Sequence, residues 1–260
     1  MDTWKRPIAA AWFALGVLTL LVTVSTDARA QGSAVDPVAV RTMKRMTDFL
    51  DGLQRFSVNT QSIIEEMHFS GHRVDYDLSA SVTVKRPNKL SAKRTGELMN
   101  ERLFYDGKTL TLYKPTEKVY ATDKAPDTIE GMITFARETV GILLPAADLL
   151  YRKAFPLMMQ DVTLAVVVGK AVVGGVRCDH LLFSRPDVDF QVWVSEGKQP
   201  WPRKYTVTET GTPSLLSITT FLSNWNNAPA VDEAQFSFVP PKGVKAISFT
   251  ELEKTSGSNR

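Results

Sequence analysis

The alternation of apolar and polar residues over positions 74–84 constrains this chain more than any other feature. Successive side chains of a strand point to opposite faces, so the pattern predicts one long strand with a dry face and a wet face. Such a strand needs paired neighbours and an apolar layer on its dry side. The apolar positions are Val74, Tyr76, Leu78, Ala80, Val82 and Val84.

Turn residues on either side extend this strand into an antiparallel meander over residues 56–123. Ser70-Gly71 separates it from a preceding strand at 56–69, and Pro87 ends it because proline cannot donate to a strand ladder. Asp106-Gly107 stands between two β-prone stretches, which is a strong hairpin signal.

An amphipathic helix is predicted before the meander. Asp36 can accept hydrogen bonds from free helix amides, and Pro37 suits the first helical position. Apolar residues then recur at helical spacing, which indicates a helix lying on an apolar surface. They are Ala39, Met43, Met46, Leu50 and Leu53.

A helical insertion is predicted over residues 126–159. Asp127 and Glu130 fit a capping box, and Pro145 divides the insertion into two helical stretches. The first stretch places one apolar face on a single side. That face consists of Ile129, Met132, Ile133, Ala136, Val140 and Leu143.

Strand patterns resume after the insertion and predict about ten strands in all. They cover residues 162–168, 176–183, 188–194, 203–209 and 215–222, with a short last strand at 236–238. A sheet with one dry face has to curl around its core, and the helices need to bury their apolar faces there. The predicted fold class is therefore α+β: a curved antiparallel sheet forming an incomplete barrel. The N-terminal helix and the helical insertion cover its concave face.

The two ends of the chain differ from the rest. Residues 1–30 combine Lys5 and Arg6, an apolar run over 8–24, and the small-residue step Ala28-Arg29-Ala30, a pattern typical of a cleavable signal peptide. A retained anchor is the alternative, because the run is at the short limit for spanning a bilayer. We expect residues 31–252 to form a single domain without a stable membrane span, and residues 253–260 to form a polar tail.

Charge and cysteine content exclude several classes of protein. The formal net charge is +3, and it changes little when residues 1–30 are removed. So small a surplus argues against nucleic-acid binding and against a strongly basic membrane-binding surface. The single cysteine, Cys178, cannot form a disulfide within the chain, so an exported domain must rely on its core.

Several motifs follow one another along the chain, at 105–113, 119–121, Gly175, Cys178, His180, Trp193-Val194, Pro202-Arg203, Asn224-Trp225 and Phe236 to Gly243. Together they resemble a family of predicted periplasmic proteins of unknown function. Its fold resembles that of the periplasmic lipoprotein carrier of the outer-membrane sorting pathway (the LolA/LolB-like superfamily). The resemblance implies a periplasmic location, a cavity between sheet and helices, and ligands such as lipid or acyl chains.

The candidate function is a non-enzymatic carrier or sensor of hydrophobic ligands. An alternative stays open: an interaction protein with a filled core, which contacts an envelope protein and holds no ligand. Apolar strand faces suit either reading, and adaptable methionines suit varied acyl chains. The candidate cavity-lining residues are Tyr76, Leu78, Phe104, Met132, Ile133, Phe190 and Phe221.

We predict no catalytic residue, metal site or cofactor. Cys178 and His180 are two apart on a strand, and are interpreted as a buried thiol and a packed imidazole rather than a nucleophile pair. His68 and His72 are separated by a turn rather than held on one helix face. Nucleotide-binding and hydrolase motifs are absent from the sequence.

Overall fold

The computed structural model describes residues 34–97 and 99–252. One curled sheet of twelve strands dominates these residues, in the order β12-β6-β5-β4-β3-β2-β1-β11-β10-β9-β8-β7. The strands are β1 (Arg55–Met67), β2 (Arg73–Lys85), β3 (Lys89–Gly96), β4 (Met99–Tyr105), β5 (Thr109–Lys114), β6 (Val119–Lys124), β7 (Leu164–Val173), β8 (Val176–Arg185), β9 (Val188–Ser195), β10 (Pro202–Glu209), β11 (Ser217–Asn226) and β12 (Lys245–Ala246).

The alternation over 74–84 forms β2, as predicted. β2 pairs with β1 along its whole length, from Arg73 opposite Met67 to Lys85 opposite Arg55. Leu78 and Val84 on the dry side are buried, while Ser79 and Ser81 on the wet side are exposed. One face of this long hairpin therefore lies on the core.

Two meanders meet at a seam between β1 and β11. β2 to β6 follow one another on one side of β1, and β11 to β7 follow on the other. At the seam, the buried hydroxyls of Ser62 and Thr220 lie 2.9 Å apart in a hydrogen bond. β7 and β12 remain as the two edges, so the sheet is an open, incomplete barrel and the predicted fold class is confirmed.

The N-terminal helix, α1 (Pro37–Asp51), begins where the sequence predicts. The side chain of Asp36 accepts a hydrogen bond from the amide of Val38 at 2.7 Å. Ala39, Met43 and Met46 are fully buried against the sheet half made of β7 to β11, where they share a core with Phe183 and Val192. α1 therefore closes that half of the concave face.

The insertion is more divided than the two helical stretches predicted. It consists of α2 (Ile129–Glu138), a 3-10 helix (Ala147–Leu150) and α3 (Ala154–Met159). Thr128, and not Asp127, caps α2 by accepting from the amide of Gly131. Glu130 accepts from the amide of Arg152 instead of completing a capping box. The buried face of α2 contains four of the six predicted residues, Ile129, Met132, Ile133 and Ala136. Val140 and Leu143 lie beyond the helix, and Leu143 is exposed.

Two strand predictions need correction. The sequence pattern does not predict β3, and the last strand is β12 rather than residues 236–238. Residues Glu233–Phe236 form a 3-10 helix, because the side chain of Asp232 accepts from the amide of Ala234 and starts a helical turn. Phe238 follows in an extended segment on the outer face of the sheet, where its ring meets those of Phe104 and Tyr113.

The predicted signal peptide at 1–30 and the predicted polar tail at 253–260 lie outside the described residues. Within residues 34–97 and 99–252, no helix is long and apolar enough to cross a bilayer.

Candidate functional site

The concave face holds three neighbouring cavities beneath the insertion. The largest has a volume of about 420 Å³ and lies between β1 to β5, residues 140–143 and the last described helical turn, 249–252. Its wall includes the buried side chains of Arg94, Glu101 and Lys114, so we call it the charged cavity. Ile64, Tyr76 and Leu78 contribute apolar surface.

The buried charges of this cavity are held in a fixed arrangement. Nη1 of Arg94 lies 2.7 Å from Oε1 of Glu101, and only 3% of Arg94 is exposed. Burial lowers the pKa of Arg94, and the Glu101 carboxylate opposes this shift. Nζ of Lys114 donates to the carbonyl of Leu252 at 3.2 Å. The pairing compensates charges that would otherwise be costly to bury.

A second space, the apolar cleft, lies deeper between the sheet and α2. Its volume is about 70 Å³, room for about two water molecules. Leu78 and Arg94 line both this cleft and the charged cavity, so the two spaces adjoin. Most other walls are apolar side chains, including Val58, Ala80, Val82, Leu90, Ala92, Leu103, Met132, Ile133, Leu149, Leu222 and Trp225.

The third space, the side cavity, has a volume of about 360 Å³ and lies against β10 and β11. Tyr205 and Ile218 form its sheet side. Arg137 and Asp148 line its other side and form an ion pair, with 2.7 Å between Nη1 and Oδ1. This cavity combines an apolar floor with one polar pair.

One irregular stretch of chain contributes to the walls of all three spaces. This covering segment, residues 140–146, connects α2 to the 3-10 helix. Nη2 of Arg94 donates to the carbonyl of Leu143 at 2.5 Å, and Nη2 of Arg137 donates to that of Leu144 at 3.2 Å. Gly141 and Ala146 have φ values of 75° and 57°, in the left-handed region. The segment is thus held across the cavities by these polar contacts and by the buried side chain of Ile142.

Four of the seven candidate lining residues meet around these spaces. Tyr76 and Leu78 line the charged cavity, and Leu78, Met132 and Ile133 line the apolar cleft. Phe190 lies apart, beside a fourth cavity of about 240 Å³ under α3. The structure therefore brings the candidates on β2 and α2 together and separates Phe190 from them.

Phe104 and Phe221 lie on the opposite, convex face of the sheet, away from the three cavities. The residues next to Phe104, Leu103 and Tyr105, point into the core, so strand geometry turns Phe104 outward onto Phe238. Thr220 and Leu222 are buried, so Phe221 between them also points outward, and its ring lies 5.2 Å from Nζ of Lys204.

Sequence reasoning missed the buried charges. Arg94 and Glu101 face each other from neighbouring strands, where they form a paired register position. Lys114 shares the inward parity of the buried Leu110 and Leu112 on β5. That parity was the available signal: a charge at an inward position of a strand marks a buried polar site.

The residues with possible reactivity lie elsewhere and have structural roles. Cys178 is fully buried, and burial raises the pKa of its thiol, which lowers its reactivity. Nε2 of His180 lies 2.9 Å from Oε1 of Gln191, and its ring stacks on Trp193. His68 and His72 flank Ser70 in the β1–β2 turn. The described part of the chain contains no group of three potential metal ligands.

Comparison with known proteins gives a family match over most of the chain. Residues 39–250 match the model of a family described as predicted periplasmic protein (DUF2092). A search of the curated proteins found no significant relative.

Solved structures give more distant likenesses. An uncharacterized conserved protein from Thermus thermophilus has 9% identity and a TM-score of 0.47, covering 81% of this chain and 99% of that chain. LprF from Mycobacterium bovis has 12% identity and a TM-score of 0.48, covering 76% and 96%. A LolA superfamily protein from Nitrosomonas europaea has 10% identity and a TM-score of 0.39, covering 77% and 97%.

Proposed function

This chain belongs to the DUF2092 family of predicted periplasmic proteins, and from that premise we propose that it is a non-enzymatic carrier or sensor of hydrophobic ligands. The ligand class is a lipid or the acyl chains of a lipoprotein. The ligand lies between the sheet and the insertion, where Tyr76, Leu78, Met132 and Ile133 contact it.

The observation that carries this proposal is the shared wall of the three cavities. The covering segment separates an apolar cleft from two wider spaces, of about 420 and 360 Å³. Small-molecule sites commonly have volumes of about 300–1,000 Å³. Movement of this one segment would join the three spaces into a chamber of that size with an apolar floor.

The chemistry of the walls fits an amphiphilic ligand. Each methylene moved from water to the apolar cleft contributes about 0.8 kcal/mol, with little demand on ligand shape. The ligand's polar end lies in the charged cavity, where Arg94, Glu101 and Lys114 supply hydrogen-bonding groups. Affinity then comes from the chain and orientation from the polar end.

Only part of the insertion at 126–159 is suited to move as a lid. Ile129 and Ile133 of α2 are fully buried, so moving that helix would expose much apolar surface. The covering segment has no regular secondary structure and has left-handed residues near both ends. We therefore assign the opening movement to residues 140–146.

The test is uptake of a fluorescent fatty-acid probe by delipidated mature protein. Ala80 lines the apolar cleft on β2, and Ser81 is its exposed neighbour on the wet face of the same strand. Ala80→Phe fills the cleft and should weaken probe binding at least tenfold, while the matched variant Ser81→Phe should bind as the parent does. Equal thermal unfolding of the two variants would exclude misfolding.

The small volume of the apolar cleft favours a second candidate function. Because only about 70 Å³ is open there, the molecule could be an interaction protein with a filled core. It would contact an envelope protein and hold no ligand. Absence of saturable probe uptake by well-folded parent protein would rule out the carrier or sensor and support this second function.

A further inference from the structure

The cavity of about 240 Å³ under α3 lies on the half of the sheet made of β7 to β11, and we call it the α3 cavity. Phe190 and Tyr205 form its sheet side. Tyr205 and Asp148 also line the side cavity, so these two spaces adjoin. No described residue lines both the α3 cavity and the apolar cleft. The apolar side chains that α3 contributes to the wall are Ala154, Leu157 and Met158.

Tyr205 brings a polar group without a partner to these two spaces. Only 5% of the residue is exposed, yet its hydroxyl forms no hydrogen bond with any described residue. The hydroxyl is not sealed off by protein atoms, so it opens into the cavities that Tyr205 lines. A buried phenol usually has a hydrogen-bond partner, because an unsatisfied hydroxyl is costly to bury. The hydroxyl of Tyr205 can therefore donate to a bound ligand.

The charged groups around this hydroxyl include one positive charge without a counterion. Burial raises the pKa of Tyr205, and the carboxylate of Asp148 adds to this shift. Arg185 and Arg137 lie close enough to oppose it. Asp148 is paired with Arg137, with 2.7 Å between Oδ1 and Nη1. Arg185 lines the α3 cavity and forms no ion pair within the described residues, and its guanidinium lies 5.8 Å from the centre of the Phe190 ring.

Strand geometry turns Arg185 inward and the acidic residues that follow it away from the cavity. Arg185 has the same parity on β8 as the buried Phe183, so both point to the concave side. Asp189 points to the convex side, because Phe190 next to it faces the core. Asp187 lies in the β8–β9 turn, where its side chain packs against the β10–β11 turn. The two cavities are therefore lined by two arginines and a single carboxylate.

These groups fit a carboxylate that is attached to a short aliphatic tail. An arginine guanidinium can donate two parallel hydrogen bonds to a carboxylate, and the neutral phenol of Tyr205 can donate another. Leu157, Met158 and Phe190 supply an apolar wall beside them, and methionine adapts to tails of different shape. The α3 cavity and the side cavity together provide a volume in the common range for small-molecule sites, about 300–1,000 Å³.

We propose that the α3 cavity is a second binding site, which takes an amphiphile with a carboxylate head and a short aliphatic tail. Arg185 binds the carboxylate, Tyr205 donates a hydrogen bond to it, and the tail lies against Met158 and Phe190. This site goes beyond the proposed function and does not depend on it. An interaction protein whose apolar cleft is filled could hold such a ligand in the same way.

A titration of the mature protein with octanoate, followed by ligand-detected NMR, tests the site. Octanol, which has the same tail without the carboxylate, is the matched probe. We expect saturable binding of octanoate that is about tenfold or more tighter than that of octanol. Arg185→Met should weaken octanoate binding about tenfold or more and remove this preference. The control Arg177→Met removes an exposed arginine of the same strand and should bind octanoate as the parent does.

Tyr205→Phe separates a binding role from a structural one. Because the hydroxyl has no partner within the described residues, its removal should leave the thermal unfolding of the ligand-free protein unchanged or raise its midpoint. Octanoate affinity should nevertheless fall about tenfold, the effect of losing one hydrogen bond to a charged group. Tyr113→Phe, on the convex face of β5, is the matched control and should bind octanoate as the parent does.

Ala80→Phe distinguishes this site from the one in the proposed function. Filling the apolar cleft should leave octanoate binding under α3 unchanged, so failure of fatty-acid uptake in the cleft would not affect this result. Loss of octanoate binding in Ala80→Phe would place the ligand in the cleft and overturn the proposal. Folded parent protein that does not bind octanoate, equal affinity for octanoate and octanol, or octanoate binding that survives Arg185→Met would each overturn it as well.

Discussion

The helix α1 and the insertion at 126–159 cover the same concave face in different ways. α1 is one capped helix of 15 residues, and none of its residues lines any of the three cavities. The insertion consists of short helices joined by the irregular covering segment, and it contributes to the walls of all three. Both halves of the sheet have an apolar concave face, so the cavities follow from the division of the cover into short helices and an irregular segment.

The largest expected effect comes from the arginine that ties the divided cover to the sheet. Arg94→Met leaves Glu101 buried without its ion-pair partner and frees the carbonyl of Leu143. We expect the free energy of unfolding to fall by about 3–5 kcal/mol, the usual cost of breaking a buried pair. Urea denaturation monitored by circular dichroism measures this change.

The double variant Arg94→Met/Glu101→Leu is the control for that effect. Because it removes both charges, much of the lost stability should return. A single variant as stable as the parent would show that Arg94 does not hold the covering segment, and the contrast with α1 would need another cause.

Side-chain truncations test whether α1 and the covering segment differ in how tightly they pack. Met43 of α1 is fully buried, whereas Leu143 of the covering segment is 40% exposed. Met43→Ala should lower the free energy of unfolding by about 2–5 kcal/mol, and Leu143→Ala by less than about 1 kcal/mol. The same denaturation series measures both. Equal decreases in the free energy of unfolding would mean that the covering segment is packed as tightly as α1, and the proposed difference between the two covers would be wrong.

A single hydrogen bond at the fixed end of the insertion should have a small effect. Oη of Tyr105 donates to the carbonyl of Pro126 at 2.5 Å and is 3.2 Å from that of Thr128. Tyr105→Phe should cost about 1 kcal/mol near neutral pH, the typical net value of one hydrogen bond.

The same variant has a pH dependence of known sign. Burial, assisted by Asp127, raises the pKa of Tyr105, so folding favours the neutral phenol. Its contribution is complete below the unfolded-state pKa of about 10 and is lost as the pH rises above that value. Stability of the parent should therefore fall more steeply above about pH 10 than that of Tyr105→Phe. Parallel stability curves would contradict the assigned hydrogen bond.

The regular parts of the fold could be predicted because short stretches of sequence determine them. Asp36 and Pro37 located the start of α1, the alternation over 74–84 gave β2, and Asp106-Gly107 gave the β4–β5 hairpin. In that turn the side chain of Asp106 accepts from the amides of Lys108 and Thr109. Each of these signals acts within a few residues, so it does not depend on the tertiary structure.

The parts that depend on tertiary contacts could not be predicted in the same way. β3 has Arg94 on its inward face, and a charge there breaks the alternation until Glu101 is known to lie opposite. Leu103, Phe104 and Tyr105 are consecutive and apolar, so the sequence does not say which of them face the core. The position of the covering segment likewise depends on hydrogen bonds from other elements. Arg94 lies on β3, far from the segment along the chain, and Arg137 lies on α2.

The seam between β1 and β11 affects the folding of the chain. Every other antiparallel pair in the sheet joins strands that follow one another along the chain, whereas Ser62 and Thr220 are separated by 158 positions. Loop-closure entropy grows with the logarithm of that separation, and long-range pairing is the slow part of folding. The two meanders can thus form from local contacts, and the entropic barrier to folding is concentrated where they join.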